Sequence, residues 1–301
     1  MADTIVRAAA KINLHLGVGA PRKDGFHPLV TVYQAIGIYD DLSVRAGDEW
    51  SLRLFPADHV DRAGVPIEGN IAEAAARALA DFHGRSEIAA EVVITKAIPV
   101  AGGMAGGSAD AAAALVALDR LWELDTPDDE LLRIAAALGS DVPFALIGGT
   151  AIGTGRGERV SPVEDHGTWW WVAVPSTKGL STPEVYRHYD RLFPDASPRP
   201  KGAEAVLTAL ATGDPGVLAR ALHNDLQAAA LDLRPDLAEL IAVGEAAGAL
   251  RGIVSGSGPT CVFLTTGADQ ARELAVGLRA AGHEVALAAP APVSGATVVT
   301  Y

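Results

Sequence analysis

The sequence predicts an α+β chain of two domains. It has 301 residues, 49% of them hydrophobic, enough for about two ordinary domains. Two-residue alternation of apolar and polar side chains crowds its amino-terminal part. Its helical stretches fall between strands without the regular βαβ succession of a parallel sheet.

Thr4 to Val18 reads as two short strands, and GAPRKDGFHPL after it as a loop punctuated by Gly, Pro and Asp. VTVYQAIGIYDDLSVRAG and EWSLRLF alternate at period two, the pattern of antiparallel sheet. The pattern turns helical over 70–82, returns to strand over 91–98, and is helical again from about 108 to 124. DDELLRIAAALG makes another helix, closed by Gly139. GGTAIGTGRGERVSPV reads as a hairpin and WWWVAVPS as a buried strand, with the domain division between residues 164 and 165. Beyond it, helices are expected over 183–192, 201–212, 215–223, 235–248 and 270–281, and strands at GIVSGSG, CVFLTT and HEVALAAP. PDASPRPKG is an exposed loop, and no fixed-period repeat is present.

Formal net charge is -13, from 24 Lys+Arg against 37 Asp+Glu, a balance that repels polyanions. Nucleic acid is therefore not expected as a partner, and any bound phosphate must be met by local donors. Cys261 is the only cysteine, which excludes an internal disulfide framework. MADTIVRAAAKINLHLGV carries Asn13 and His15 where a signal peptide would be apolar. No stretch approaches the roughly 20 apolar residues of a bilayer span, so the expected setting is the cytoplasm, without a membrane partner. The histidines show no ligand spacing, and a zinc site has no support.

PVAGGMAGGSADAAAALVALDRLW places four glycines among the six residues 102–107, just ahead of a helical pattern. Glycine lets backbone N–H groups turn toward a ligand, and a following helix start adds free donors and a positive dipole end. The run has no Walker lysine after Gly107 and lacks G-x-G-x-x-G spacing. Taken alone it is either an anion cradle or a turn that permits close strand–helix packing.

Two further motifs separate these readings. PVAGGMAGGSADAA resembles the Pro-x-x-x-Gly-Leu-Gly-Ser-Ser-Ala loop of the GHMP kinases, and RAAAKINLHLGV before it and VSGSGPTCVFL after it are similar to that superfamily's other two motifs, in the same order. AKINLHL, KDGFHPLVTVYQAIGIYDDL, GSDVPFAL, GTGRGE and HNDLQ resemble one branch in particular, which uses ATP to phosphorylate an alcohol of a cytidine diphosphate-linked polyol. The resemblance runs from Ala8 to about Leu264. It implies a two-domain GHMP kinase fold, residues 1–164 and 165–301, with the active site in the cleft between them.

By resemblance, Asp141 is the catalytic aspartate and Lys11 the lysine beside it. Phosphoryl transfer needs an acceptor for the hydroxyl proton and a cation near the reacting oxygens. On residue type alone, Asp141 is equally a helix cap and Lys11 a solvated strand lysine. The ATP phosphates fall to Pro99, Val100, Ala101, Gly102, Gly103, Met104, Ala105, Gly106, Gly107, Ser108 and Ala109, with the Ser108 hydroxyl offered to phosphate or magnesium. Asn70 is implied near adenine, though it also reads as a plain N-cap, and Lys96 lies on the nucleotide side. GSGPT is implied to support the site from the second domain, and on residue type it is a tight turn. Asn13, Phe26, His27, Thr182 and Tyr186 are the implied substrate contacts. Phe26 and Tyr186 would stack on the cytosine and His27 would read its edge; otherwise these are separate core aromatics.

The chain departs from the pattern at Met104–Ala105, where Leu–Gly is frequent, at Ala109, which replaces a second serine, and at Phe26, where tyrosine is common. No acidic residue lies between Asp110 and Asp119, so Mg²⁺ is expected to arrive with ATP and no protein metal ligand is assigned. A monomer or weak homodimer is expected. Homoserine kinase and a non-catalytic ligand sensor on the same fold remain open.

Overall fold

The computed structural model describes residues 3–61, 65–100, 102–176 and 178–300. The first sheet is organised by two long antiparallel strands, β1 (Thr4–Val18) and β2 (Leu29–Arg45). β1 is one strand, not the expected two, because nothing before Gly17 breaks it and two register shifts, at Ala9/Ala10 and at Asn13/His15, absorb the irregularity. The register steps from Asn13↔Tyr33 to His15↔Val32, leaving Leu14 as an extra residue. That step flips the alternation. Ile12 and Leu14 enter the main core, while Lys11, Asn13 and, beyond the bulge, Leu16 line one cavity.

β2 is long enough to serve two partners. Its far end pairs with β4 (Ala90–Lys96) and its near end with β5 (Thr150–Gly155). β3 (Trp50–Pro56) runs parallel to β4, and β6 (Arg159–Pro162) closes the predicted hairpin with β5. Helices α1 (Ile71–Phe82), α2 (Gly106–Leu121), α3 (Asp128–Leu138) and α4 (Val142–Ile147) accompany this sheet. α2 is buried along Ala109–Leu115 by its alanines, whose small side chains let it approach β1 and β2 closely.

The second sheet has the order β11 (Leu287–Ala291), β7 (Trp169–Val174), β10 (Cys261–Thr265), β9 (Arg251–Val254), all antiparallel. WWWVAV is apolar on both faces because both are covered. Trp169, Trp171 and Ala173 join the main core with α6 (Glu204–Thr212) and α7 (Pro215–Ala221). Val172 and Val174 face a second core built with α5 (Thr182–Leu192), α8 (Gln227–Leu233), α9 (Pro235–Ala246) and α10 (Ala268–Ala280).

Around residue 165 the chain is tied down by hydrogen bonds. Asp165 accepts from Gln34 Nε2 (2.9 Å), Thr150 Oγ1 (2.5 Å), its own segment's Gly167 N (3.0 Å) and Trp169 Nε1 (2.8 Å). The final strand, β12 (Thr297–Val299), returns to pair with β1 in the first sheet. Three sequence expectations shift. The helix expected over 215–223 stops at Ala221 because His223–Asn224 form β8, parallel to β1. GIVSGSG is strand only to Val254 and then turns. α8 was not expected at all. Among the described residues no helix is long and apolar enough to cross a membrane.

Candidate active site

α2 begins at Gly106, and the residue before it, Ala105, is left-handed at φ 58° and makes no side-chain cap bond. The first amide to bond back is Ala109 N, to Ala105 O at 2.9 Å. The N–H groups of Gly106, Gly107 and Ser108 are thus the free donors of a helix start, at its positive dipole end. They open on a cavity of about 500 Å³ lined by Asn70, Lys96, Pro99, Val100, Gly102, Gly103, Ala105–Ser108, Asp110 and Asp141. Left-handed backbone costs a non-glycine residue about 1–2 kcal/mol, which explains why glycine is frequent where this chain has Ala105. Gly103 is also left-handed, at φ 75°, and an added Cβ would stand 3.0 Å from Ser255 O and 3.2 Å from Gly258 O. The nucleotide-side loop therefore lies backbone to backbone on the Gly256–Thr260 turn.

A buried ion cluster fixes the root of that loop. Lys96 Nζ lies 2.5 Å from Asp40 Oδ2 and 2.7 Å from Asp110 Oδ2, with all three side chains almost fully buried. Asp40 Oδ1 also accepts from Ala97 N (2.7 Å) and Ile98 N (2.9 Å), so β2, the end of β4 and the first turn of α2 share one knot. Among the described residues Asp110 Oδ1 has no partner. Burial, then the negative charge of Asp40, pushes the Asp110 carboxyl well above the usual range despite Lys96. Burial works to lower the Lys96 ammonium, but the two carboxylates outweigh it and raise it.

Lys11 and Asp141 meet where this cavity ends. Lys11 Nζ is 3.7 Å from Asp141 Oδ2 and donates to Asn13 Oδ1 at 2.9 Å. Asn13 Nδ2 in turn donates to Thr31 Oγ1 at 2.8 Å, so the asparagine serves as the lysine's fixed support. Asp141 stands at the N-cap of α4 but makes no side-chain cap bond, leaving its carboxylate to the cleft.

A second cavity, of about 530 Å³, starts from the same point. Lys11, Asn13, Tyr33, Gly103, Asp141 and Gly256 form its inner end, and Phe26, His27, Thr182, Tyr186, Arg156, Arg187 and Asp190 line it further out. Asp141 and Gly103 border both cavities. Burial, and then the charge of Asp141, pushes the phenols of Tyr33 and Tyr186 above their usual range, which keeps both hydroxyls protonated. His27 Nδ1 is 2.8 Å from Gly19 O, and a carbonyl only accepts, so Nδ1 carries a proton, while Nε2 lies 3.5 Å from Asp190 Oδ2. Its ring packs on Tyr186 at 4.9 Å, and the Arg156 guanidinium covers the half-exposed Phe26 ring at 4.8 Å. Thr182 Oγ1 lies 2.8 Å from Ser257 Oγ.

Comparison with known proteins places this geometry. The chain matches the GHMP kinases N terminal domain over residues 70–149 and the GHMP kinases C terminal domain over residues 206–284. A protein of Nocardioides sp. named 4-diphosphocytidyl-2-C-methyl-D-erythritol kinase is 67% identical over 297 residues, 98% of this chain and 100% of its own. The chain belongs to the 4-diphosphocytidyl-2-C-methyl-D-erythritol kinases, a branch of the GHMP kinases. A crystal structure titled 4-(cytidine 5'-diphospho)-2C-methyl-D-erythritol kinase superposes with a TM-score of 0.75 at 32% identity, over 96% of this chain and 98% of its own. Homoserine kinase from Cytophaga hutchinsonii, at TM-score 0.72 and 17% identity over 99% and 98%, shares the fold.

Not every sequence-assigned residue of this kinase reaches a cavity. Met104 and Ala109 are fully buried in the core; Met104 contributes its carbonyl, which accepts from Lys11 N at 3.1 Å. Ala101 lies outside the described residues. Asn70 lines the nucleotide-side cavity but caps α1, accepting from Ala72 N at 2.9 Å and donating to Pro66 O at 2.8 Å. Lys96 is there too, already carrying two carboxylates. The sequence reasoning missed Tyr33, Arg156, Arg187, Asp190 and the partners Asp40 and Asp110. Tyr33 had a usable signal, since it faces Asn13 across β1 and β2; the others depend on the tertiary fold.

Proposed function

We propose that this kinase transfers the γ-phosphoryl group of ATP to the 2-hydroxyl of 4-diphosphocytidyl-2-C-methyl-D-erythritol, giving the 2-phosphate and ADP in the non-mevalonate route to isoprenoid precursors. The observation that carries the reading is the sharing of Asp141 and Gly103 by two cavities, with Lys11 3.7 Å from the aspartate. One cavity offers backbone N–H groups to phosphates, the other aromatic faces to a base. Residues 1–164 would supply the ATP loop, Lys11 and Asp141, and residues 165–301 the opposite wall.

In this reading the acceptor hydroxyl lies against Asp141, which takes its proton as the oxygen bonds to the γ-phosphorus and the bond to the ADP oxygen breaks. Lys11, braced by Asn13, stabilises negative charge on the reacting oxygens. Gly102–Ser108 hold the phosphates, Phe26 and Tyr186 hold the cytosine, and His27 reads the edge of the base. Thr182, through its contact with Ser257, joins α5 to the glycine turn at the acceptor's edge. Among the described residues no group of three His, Cys, Asp or Glu stands ready to hold a metal. Mg²⁺ brought with ATP would neutralise phosphate charge, and the Ser108 hydroxyl is the group this chain would offer to it or to a phosphate. We place the kinase in the cytoplasm, as a monomer or weak homodimer.

The test is ADP release with three alcohols. The cytidyl-methylerythritol acceptor should support turnover and homoserine and mevalonate should not; ADP release with homoserine instead would overturn the assignment.

A further inference from the structure

Asn224, in the HNDLQ segment, borders neither cavity, yet every polar group of its side chain is committed. Its Nδ2 donates to Val254 O at 2.8 Å and to Gly256 O at 2.7 Å, and its Oδ1 accepts from Leu226 N at 2.9 Å. An amide has two N–H donors, and both are spent on carbonyls flanking Ser255. β8 brings the residue there by running parallel to β1 at His15 and Leu16.

The held peptide stands directly behind the reacting pair. Gly256 is left-handed at φ 59°, and a Cβ built on it would lie 3.2 Å from Asn13 Oδ1 and 3.7 Å from Lys11 Nζ. The neighbouring Ser255 Oγ accepts from Asn13 N at 3.3 Å. The Gly256 peptide thus faces Lys11 and Asn13 across about the width of a methyl group, and Asn224 fixes its position.

We propose that Asn224 is a positioning residue for phosphoryl transfer, acting through the Gly256 peptide to keep Lys11 beside Asp141. The inference rests on the roles of Lys11 and Asp141 proposed above. Asn224→Asp keeps the shape but sets a carboxylate oxygen against two carbonyl oxygens, which drives the turn away and gives Lys11 room to swing.

Asn224→Asp should lower kcat by about 10–10²-fold, the scale of a small misplacement of reacting groups. Calorimetric dissociation constants for ATP and the cytidyl acceptor should stay within about threefold. Asn224→Ala, which removes the donors without adding charge, should show the same split more weakly and serves if the aspartate variant does not fold. Gln227→Ala is the control: Gln227 Oε1 accepts from Val254 N at 3.0 Å, so it braces the same strand short of the glycine turn and should leave kcat within about twofold. A folded Asn224 variant with unchanged kcat, or a Gln227 variant equally slowed, would overturn the proposal. If the wild type fails to phosphorylate the cytidyl acceptor, the proposed function falls instead. The inference is then judged by a crystal structure of Asn224→Asp: a broken Lys11–Asn13 hydrogen bond supports it, and an intact one overturns it.

Discussion

Lys96→Met removes the one cation between two buried carboxylates while preserving the length of the side chain. Asp40 loses one of its three donors, and Asp110, with Oδ1 already unpartnered, loses its only one. Breaking a buried pair by removing one partner costs about 3–5 kcal/mol, and that range is expected here, because Asp40 loses its counter-charge while the raised Asp110 carboxyl holds its proton more readily once the cation is gone. Because Lys96 is raised above its usual value, its stabilising share is complete below that value and is lost only as pH climbs through the raised one. At neutral pH the full cost is therefore felt.

Asp110 has the opposite sense. Its carboxyl is raised on folding, so it favours folding when protonated and loses that share as pH rises through the raised value. Asn at 110 removes this cost, and adding Asp110→Asn to Lys96→Met should restore about 1–2 kcal/mol. Urea unfolding followed by tryptophan fluorescence measures both, and ATP titration of the refolded double variant reads the third N–H of Lys96, free for a nucleotide. We propose that the nucleotide takes that N–H, so its loss should weaken ATP by about tenfold or more. A Lys96→Met variant destabilised by less than about 1 kcal/mol, or a second substitution that restores nothing, would refute the reasoning.

Phe26→Ala and Tyr186→Ala should each weaken the cytidyl acceptor by roughly 5- to 150-fold, the worth of base–aromatic stacking, and leave ATP nearly unchanged; paired titrations that show ATP lost instead would reverse the two cavities. Gly107→Val should abolish ATP binding in a folded protein, because its Cβ would meet nothing nearer than Ile71 Cγ2 at 3.9 Å and must project into the open nucleotide side. Gly106→Val should destabilise as well, since its Cβ would stand 3.1 Å from Ile98 Cγ2; circular dichroism beside nucleotide titration separates the two. Cys261 is fully buried and its thiol is pushed up to about 12 by burial, so a thiol reagent at mildly alkaline pH should label it only after unfolding. Rapid labelling of the native kinase would contradict that placement.

The site was legible in the sequence where chemistry is carried by a local string. The glycine run, Lys11 on a strand and Asp141 at a helix start come from short motifs whose spacing survives folding, whereas Phe26 and Tyr186 share only the lining of one cavity, Tyr186 packing on His27 and Phe26 lying under Arg156. What escaped depends on elements far apart in the chain. Asp40, Lys96 and Asp110 meet only because β2 lies beside β4 and α2 starts beneath both. Strand alternation could not foresee the Leu14 bulge, which moves Leu16 to the face of Lys11. Asn70, Met104 and Ala109 show the converse: their positions match a motif, but local capping and core packing take their side chains. The domain division expected between the hairpin and WWWVAVPS falls at Asp165, whose hydrogen bonds tie β2, β5 and β7 together.

The central claim is that Asp141, at the meeting of the two cavities, receives the acceptor's proton. Single-turnover phosphoryl transfer by Asp141→Asn, with ATP and the cytidyl acceptor both saturating, tests it most directly. The exchange keeps shape and removes the proton acceptor, so the transfer rate should fall by about 10²–10⁴-fold with both dissociation constants little changed. A rate within about tenfold of wild type would remove Asp141 from that role.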